Sequence, residues 1–278
     1  MYEEFLNQLK TEGNIRNLRA SSIEAYTYIV KYFLDWITKP VTELSCEDVR
    51  RFVLFKRSEG TGAATINQYI AGIKFFFKHV LKIVWDEELV PRMKLDHKLP
   101  VVLTLEEVDR LLDAATNLKH KAILSTMYSS GLRVSEVLHL HCSDIIRKEM
   151  KLHIRDSKNR TDRYTILSKR NLQLLEEYWY NSSRSRDILF PSQYSGSYLA
   201  ENSVEMFTKK YAKKAGITKN VHPHCLRHSF ASHLYEAGVD IRHIQALLGH
   251  KTISSTEIYL HVSNKTLMGI KSPYDIER

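Results

Sequence analysis

The 278-residue chain has only three cysteines, Cys46, Cys142 and Cys225, far apart and with no CxxC pair. That spacing argues against both a disulfide framework and a zinc site. No apolar run approaches the roughly 20 residues that cross a bilayer. The N-terminus, Met1-Tyr2-Glu3-Glu4, is acidic and amphipathic, not a basic stretch leading into an apolar one. These absences predict a cytoplasmic protein off the membrane. There is also no long biased tract and no internal repeat, which argues against disorder and repeat architectures. With 43% hydrophobic residues, the chain can bury real cores, and its length suits two domains.

Charge of one sign is in excess. Lysine and arginine number 41 against 32 acids, a net charge of +9. Residues 1–92 carry +1 of this and residues 93–278 carry +8. A basic surface attracts polyanions by releasing their counterions, so nucleic acid is the first partner to consider. Charge alone is a weak argument, because many basic proteins bind no nucleic acid.

The first ninety residues read as a small four-helix module. Ser21-x-x-Glu24 predicts a capping box for a helix through Ile23, Tyr26, Val30, Phe33, Leu34 and Ile37. Ser45 with Asp48 predicts the start of the next helix. Ile66, Tyr69, Ile70, Ile73, Phe76, Phe77 and Val80 predict one amphipathic helix over Ala64–Leu81. Pro91 to Pro100 has two prolines and no helical stripe, and reads as an extended linker. Thr104-x-x-Glu107 opens another helix. Lys151–Ile154 and Arg163–Leu167 predict a β-hairpin around the polar turn Asp156–Asp162, with Lys158 near its tip. Helices resume from about Asn171.

Six polar residues stand out: Arg133, Lys158, His224, Arg227, His250 and Tyr259. None is a carboxylate or a thiol. As a set they suit gripping a phosphodiester by its oxygens while a tyrosine hydroxyl attacks phosphorus. Each has a bland alternative. Arg133, after the natural helix stop Gly131, could form a surface ion pair with Glu136, and Lys158 could be a solvated turn lysine. His224 and Arg227 share a helix face, just after Pro223, with His222 and His228 flanking them and read as pointing elsewhere. His250 could cap a helix end behind Gly249. Tyr259, read as helical, could be one core filler among 15 tyrosines.

The order and spacing of these segments decide between the readings. Gly131-Leu132-Arg133-Val134-Ser135-Glu136, His224-Cys225-Leu226-Arg227-His228-Ser229-Phe230-Ala231, Leu247-Leu248-Gly249-His250 and Glu257-Ile258-Tyr259 together resemble the tyrosine recombinase (phage integrase) family, most closely its small Xer-type members. The likeness spans nearly the whole chain. It departs at the lysine, where Asp156-Ser157-Lys158-Asn159-Arg160 replaces the usual Gly-Lys-Gly turn. The resemblance implies a mainly α protein. A helical, SAM-like core DNA-binding domain would occupy residues 1–92 and a linker 93–99. A mixed α/β, mostly helical catalytic domain with a small β-hairpin would occupy 100–278.

The resemblance further implies that Tyr259 attacks the scissile phosphate, giving a 3′-phosphotyrosine and a free 5′-hydroxyl. Arg133, Arg227 and His250 would stabilise charge on the non-bridging oxygens. His224 would accept the tyrosine proton and Lys158 would protonate the leaving oxygen. No cofactor, metal or ATP is implied, because the covalent link stores the bond energy. The implied partners are duplex DNA with inverted-repeat half-sites and further copies of the chain, as a tetramer on two duplexes, with or without an accessory protein. By the same resemblance the segment Leu260–Arg278 would dock on a neighbouring protomer; the alternative reading is a frayed C-terminal helix. The implied role is chromosome-dimer resolution or the integration and resolution of a mobile element. The alternatives are a type IB topoisomerase, which relaxes DNA without a partner duplex, and a DNA-binding protein that has lost catalysis.

Overall fold

The computed structural model describes residues 2–95, 99–155, 162–182, 187–192 and 197–259. Its contacts divide the chain into two compact units, with the division between residues 97 and 98. Among the described residues, no helix is long and apolar enough to cross a membrane.

The first unit holds α1 (Glu3–Ile15), α2 (Ala20–Trp36), α3 (Cys46–Ser58) and α4 (Ala63–Phe76). Their apolar stripes meet in a core where Val30, Phe33, Val49, Phe52, Ile66, Ile73, Phe76 and Phe77 are fully buried. Each such side chain contributes roughly 1.5–3 kcal/mol on leaving water. The edge-on contact of Phe33 with Phe52, at 5.3 Å between ring centres, ties α2 to α3. A Cβ at Gly72 would lie 3.0 Å from an Ile29 methyl, so the bare backbone there lets α4 approach α2 closely.

Two expectations are corrected in this unit. The α2 helix starts one residue before Ser21, with Arg19 as its N-cap and no side-chain cap. Asn17, at φ 53°, sits in the left-handed region between α1 and α2. The helix predicted over Ala64–Leu81 stops as an α-helix at Phe76 and continues as a π-helical turn over Phe77–Leu81. The Ser45–Asp48 cap forms as expected, with the Asp48 carboxylate accepting from the Ser45 N–H at 2.8 Å.

The second unit is built around α6 (Leu118–Ser130), whose Ala122, Ile123, Leu124 and Met127 are fully buried. It packs against α5 (Leu105–Ala114), α7 (Val134–Leu138), α8 (Lys169–Asn181), α9 (Glu201–Lys214) and α10 (Pro223–Glu236). Asn117 caps α6 by accepting from His120 N–H at 3.1 Å, and Gly131, at φ 64°, ends it in the left-handed region. The expected capping box of α5 is present in both halves: Thr104 N–H to Glu107 at 2.8 Å, and Glu107 N–H to Thr104 at 3.2 Å. Two short helices follow α10: α11 (Ile241–Leu248) and α12 (Ser254–Glu257).

The expected hairpin pair is one part of a three-stranded antiparallel sheet. Strand β1 (Ile145–Ile146) lies beside β2 (Lys151–Ile154), which pairs with β3 (Arg163–Ile166). The register sets Ile154 opposite Arg163 and Leu152 opposite Thr165. The short β1 carries too few residues to show an alternating pattern. Strand β3 inverts the usual alternation: Thr165 is buried, while Tyr164 and Ile166 are exposed. Arg163, on the inward side with Thr165, leaves only 9% of its side chain accessible.

Candidate active site

Two helix stops and two helix starts converge on the site. Gly131 ends α6, and two residues later Arg133 is the N-cap of α7. Gly249, at φ 65°, ends α11, and His250 follows it. Between them, α10 opens with Pro223 at its first position, setting His224 and Arg227 one turn apart.

Arg227 is 3% exposed and reaches across both helix stops. It donates to the Gly131 carbonyl at 2.7 Å and to the Leu248 carbonyl at 2.6 Å. These carbonyls sit at the negative ends of α6 and α11, where a cation is favoured. Burial, then the neighbouring charges of Arg133 and Arg163, push its pKa down to about 9, with Glu136 opposing them. It therefore stays cationic at neutral pH.

Glu136 sits at the centre of the cluster. Its side chain is 5% exposed and meets three guanidiniums. Arg133 donates to it from its backbone N–H at 2.9 Å and from its side chain at 2.7 Å. Arg163 donates to both carboxylate oxygens, at 2.8 and 2.9 Å. Arg227 lies 3.5 Å away. Burial works against its charge, but hydrogen bonding to Arg163 and the charges of Arg163 and Arg227 prevail, holding its pKa near 2. The reading of Arg133 and Glu136 as a surface pair is thus corrected: the carboxylate is buried and shared. Three guanidiniums facing one carboxylate leave two positive charges uncompensated, as an anion site requires.

His250 is held by its own loop. Its Nδ1 lies 2.9 Å from Thr256 Oγ1, and its carbonyl accepts from Gln245 at 3.1 Å. Burial and then the charges of Arg227, Arg133 and Arg163 push its pKa down to about 4. At neutral pH it is a neutral donor. His224 is exposed at the start of α10, and its pKa is lowered by partial desolvation, then by His222, Arg227 and Arg133. A neutral imidazole there can accept a proton.

Tyr259 lies just past the single turn of α12, not within a helix, because α12 ends at Glu257. It is 1% exposed, packed with Phe230, Ala231, Ile244 and Leu248. The side chain touching its hydroxyl is His228, with Nδ1 at 3.1 Å. This overturns the expectation that His228 points elsewhere: it lies one turn after His224 on α10 and faces Tyr259. Burial, followed by His224, His222 and Arg227, pushes the pKa of His228 down to about 4. Burial raises the pKa of Tyr259, while Arg227 and Arg133 pull it back. The ring centres are 5.7 Å apart from Tyr259 to His228 and 6.5 Å apart from His228 to His224.

Arg133, Arg227, His224, His250 and Tyr259 are therefore gathered in one place by the second unit. Lys158 lies outside the described residues, between β2 and β3, and Leu260–Arg278 lies outside them as well. Two members of the cluster were missed as site residues, Arg163 and His228. No signal in the sequence marked Arg163, because ordinary strand alternation would bury Tyr164 and Ile166 and turn Arg163 outward. For His228 the available signal was the one-turn spacing from His224.

The family model described as the phage integrase family matches residues 101–266. A second, the phage integrase N-terminal SAM-like domain, matches residues 5–87. A tyrosine recombinase XerA of Pyrococcus horikoshii is 36% identical over 95% of this chain and 90% of its own length. A tyrosine recombinase XerD of Listeria monocytogenes is 32% identical over 97% of this chain and 96% of its own. Among solved structures, a lambda integrase dimer bound to a core site superposes with a TM-score of 0.76 at 16% identity, covering 99% of both chains. At that identity the likeness speaks for the fold alone.

Proposed function

The chain belongs to the phage integrase family of tyrosine recombinases, and from that premise we propose how its own residues carry out the reaction. It is a site-specific recombinase that cuts and rejoins DNA, with relatives named as Xer recombinases. The observation that carries the residue assignment is the shared carboxylate. Glu136 pairs with both Arg133 and Arg227, and the charges of these two arginines act on His250 and Tyr259.

A scissile phosphate seated against Arg133, Arg227 and His250 would have its non-bridging oxygens met by two guanidiniums and a neutral imidazole. The Tyr259 oxygen forms a bond to phosphorus as the bond to the 5′-oxygen breaks. The tyrosine proton passes to a neutral histidine, with His224 as the expected acceptor and His228 in contact with the hydroxyl in this structure. Lys158 returns a proton to the leaving 5′-oxygen. A 5′-hydroxyl from a partner duplex then reverses the chemistry and releases Tyr259. The DNA partner is a duplex with inverted half-sites, bound by copies of the chain that assemble as a tetramer on two duplexes in the cytoplasm. Their spacing is set by roughly one helical turn of DNA. The linker at residues 93–99 separates a core DNA-binding part, residues 1–92, from a catalytic part, residues 100–278.

The test mixes the protein with supercoiled plasmid carrying the gene's flanking DNA in EDTA, followed by an SDS quench. Wild-type protein becomes covalently attached to DNA, and Tyr259→Phe binds without attachment. Adduct formation by both proteins would assign the nucleophile elsewhere.

A further inference from the structure

We infer that Arg163, on β3, is a positioning residue for strand cleavage. It fixes Glu136 so that Arg133 and Arg227 are oriented toward the phosphate without being neutralised by that carboxylate. The inference rests on the recombinase reading above. Arg163 joins three segments that the site needs. Its two terminal nitrogens fork onto both oxygens of Glu136, at 2.8 and 2.9 Å, on α7. Its Nε donates to the Leu247 carbonyl at 3.0 Å, at the end of α11 and three residues before His250. Its methylene stem lies against Gly249, where a Cβ would come within 2.8 Å of Cδ.

The electrostatic consequence follows from the geometry. Glu136 carries one negative charge and has three cationic neighbours. Because Arg163 takes the bidentate position, the carboxylate is largely compensated from the strand side. Its hydrogen bonds to Arg133 and its ion pair with Arg227, at 3.5 Å, then orient those two arginines. Without Arg163, the buried carboxylate would draw its compensation from those two arginines, removing one of the two surplus charges that face the substrate. Lysine cannot substitute, because it offers a point donor where this site uses a planar fork plus a third N–H.

The test uses a duplex copied from the position where the wild-type adduct maps, made with either a normal scissile phosphate or a methylphosphonate there. The methylphosphonate lacks the charged non-bridging oxygen, so its cleavage needs less cationic stabilisation. The wild type must first form adduct on the normal duplex; failure at that point counts against the recombinase reading, not against Arg163. Arg163→Lys is then expected to bind the duplex within about twofold of wild type. On the phosphate it should cleave roughly 10–100-fold more slowly, by analogy with residues that orient metal ligands. On the methylphosphonate the deficit should shrink several-fold. An equal deficit on both substrates, or no deficit on the phosphate, overturns the proposal. If Arg163→Lys fails to fold, Arg163→Gln paired with Glu136→Gln carries the test, since it removes both charges of the buried pair together. Under the proposal, the paired variant is no slower than Arg163→Gln alone. Additive losses would overturn it.

Discussion

Glu136, His228 and His250 tie the stability of the second unit to pH in the same direction. The two histidines protonate near pH 4 in the folded protein, against 6.5 ordinarily. Between those values the unfolded chain binds more protons, so stability is complete above about 6.5 and is lost as pH falls toward 4. Glu136, held near 2 against an ordinary 4.5, is also depressed, and its contribution is lost as pH falls from 4.5 toward 2. A melting temperature followed by circular dichroism should fall from pH 7 to pH 4, and again below 4.5. His250→Gln should flatten part of the upper decline and leave the lower one. A melting temperature constant over pH 7 to 4 would contradict the burial of these rings. At this scale, Arg133, Arg227, His224 and His250 were singled out by the family resemblance of the short segments that hold them, and the structure gathers them in one place. Arg163 was not singled out, because its partner lies 27 residues earlier in the chain.

Helix stops do more here than end helices. A Cβ at Gly131 would collide with the Phe230 ring and lie 3.0 Å from Leu248, at a backbone φ of 64°. Left-handed strain of roughly 1–2 kcal/mol and overpacking of about 1–3 kcal/mol should together make Gly131→Ala strongly destabilising in a thermal melt. Gly60→Ala is the contrasting control, since its φ is also positive but nothing lies within 4 Å. Gly249→Ala should act differently again, by pushing on Arg163. Its expected phenotype is slowed adduct formation with DNA binding retained, so a variant that cleaves at the wild-type rate would argue against that coupling. Elements with caps and stripes, such as α3 and α5, were readable from sequence. Strand β3 was readable as a strand, but its facing was not. Tertiary needs turn its polar side inward: Thr165 donates to the Ser130 carbonyl at 2.8 Å, and Tyr164 stacks outside on His153 at 4.9 Å.

Each unit has a core of its own. The apolar cluster of the first runs from Leu6 to Val90, and those of the second lie between Leu103 and Tyr259. Fragments 1–97 and 98–278, purified separately, should therefore each melt cooperatively. The charge excess belongs almost wholly to the second unit. Affinity for DNA falls with salt in proportion to the phosphates neutralised. The slope of log affinity against log salt should thus be steeper for fragment 98–278 than for 1–97, as read by fluorescence anisotropy on one duplex. Equal slopes would mean that net charge does not report where phosphates are bound. The two-part organisation was visible in the sequence from the proline-bounded segment at 91–100. The packing of Met93 was not: its backbone N–H and carbonyl are bonded to Asn67 of α4 at 2.8 and 2.9 Å.

Tyr259 is at once the proposed nucleophile and a fully buried member of a small apolar cluster. Decay of this enzyme is therefore channelled. Tyr259→Ala would remove catalysis and a packed ring together, at roughly 3–5 kcal/mol by analogy with other buried aromatics. Tyr259→Phe gives up the hydroxyl alone, and a single nucleotide change reaches it. A lineage that abandoned cleavage but kept the DNA-binding scaffold would keep its fold through that phenylalanine substitution, leaving a stable descendant that binds DNA without cutting it. A saturation library at this codon, sorted for soluble expression and then for cleavage, should show tyrosine alone surviving the second sort and phenylalanine leading the survivors of the first.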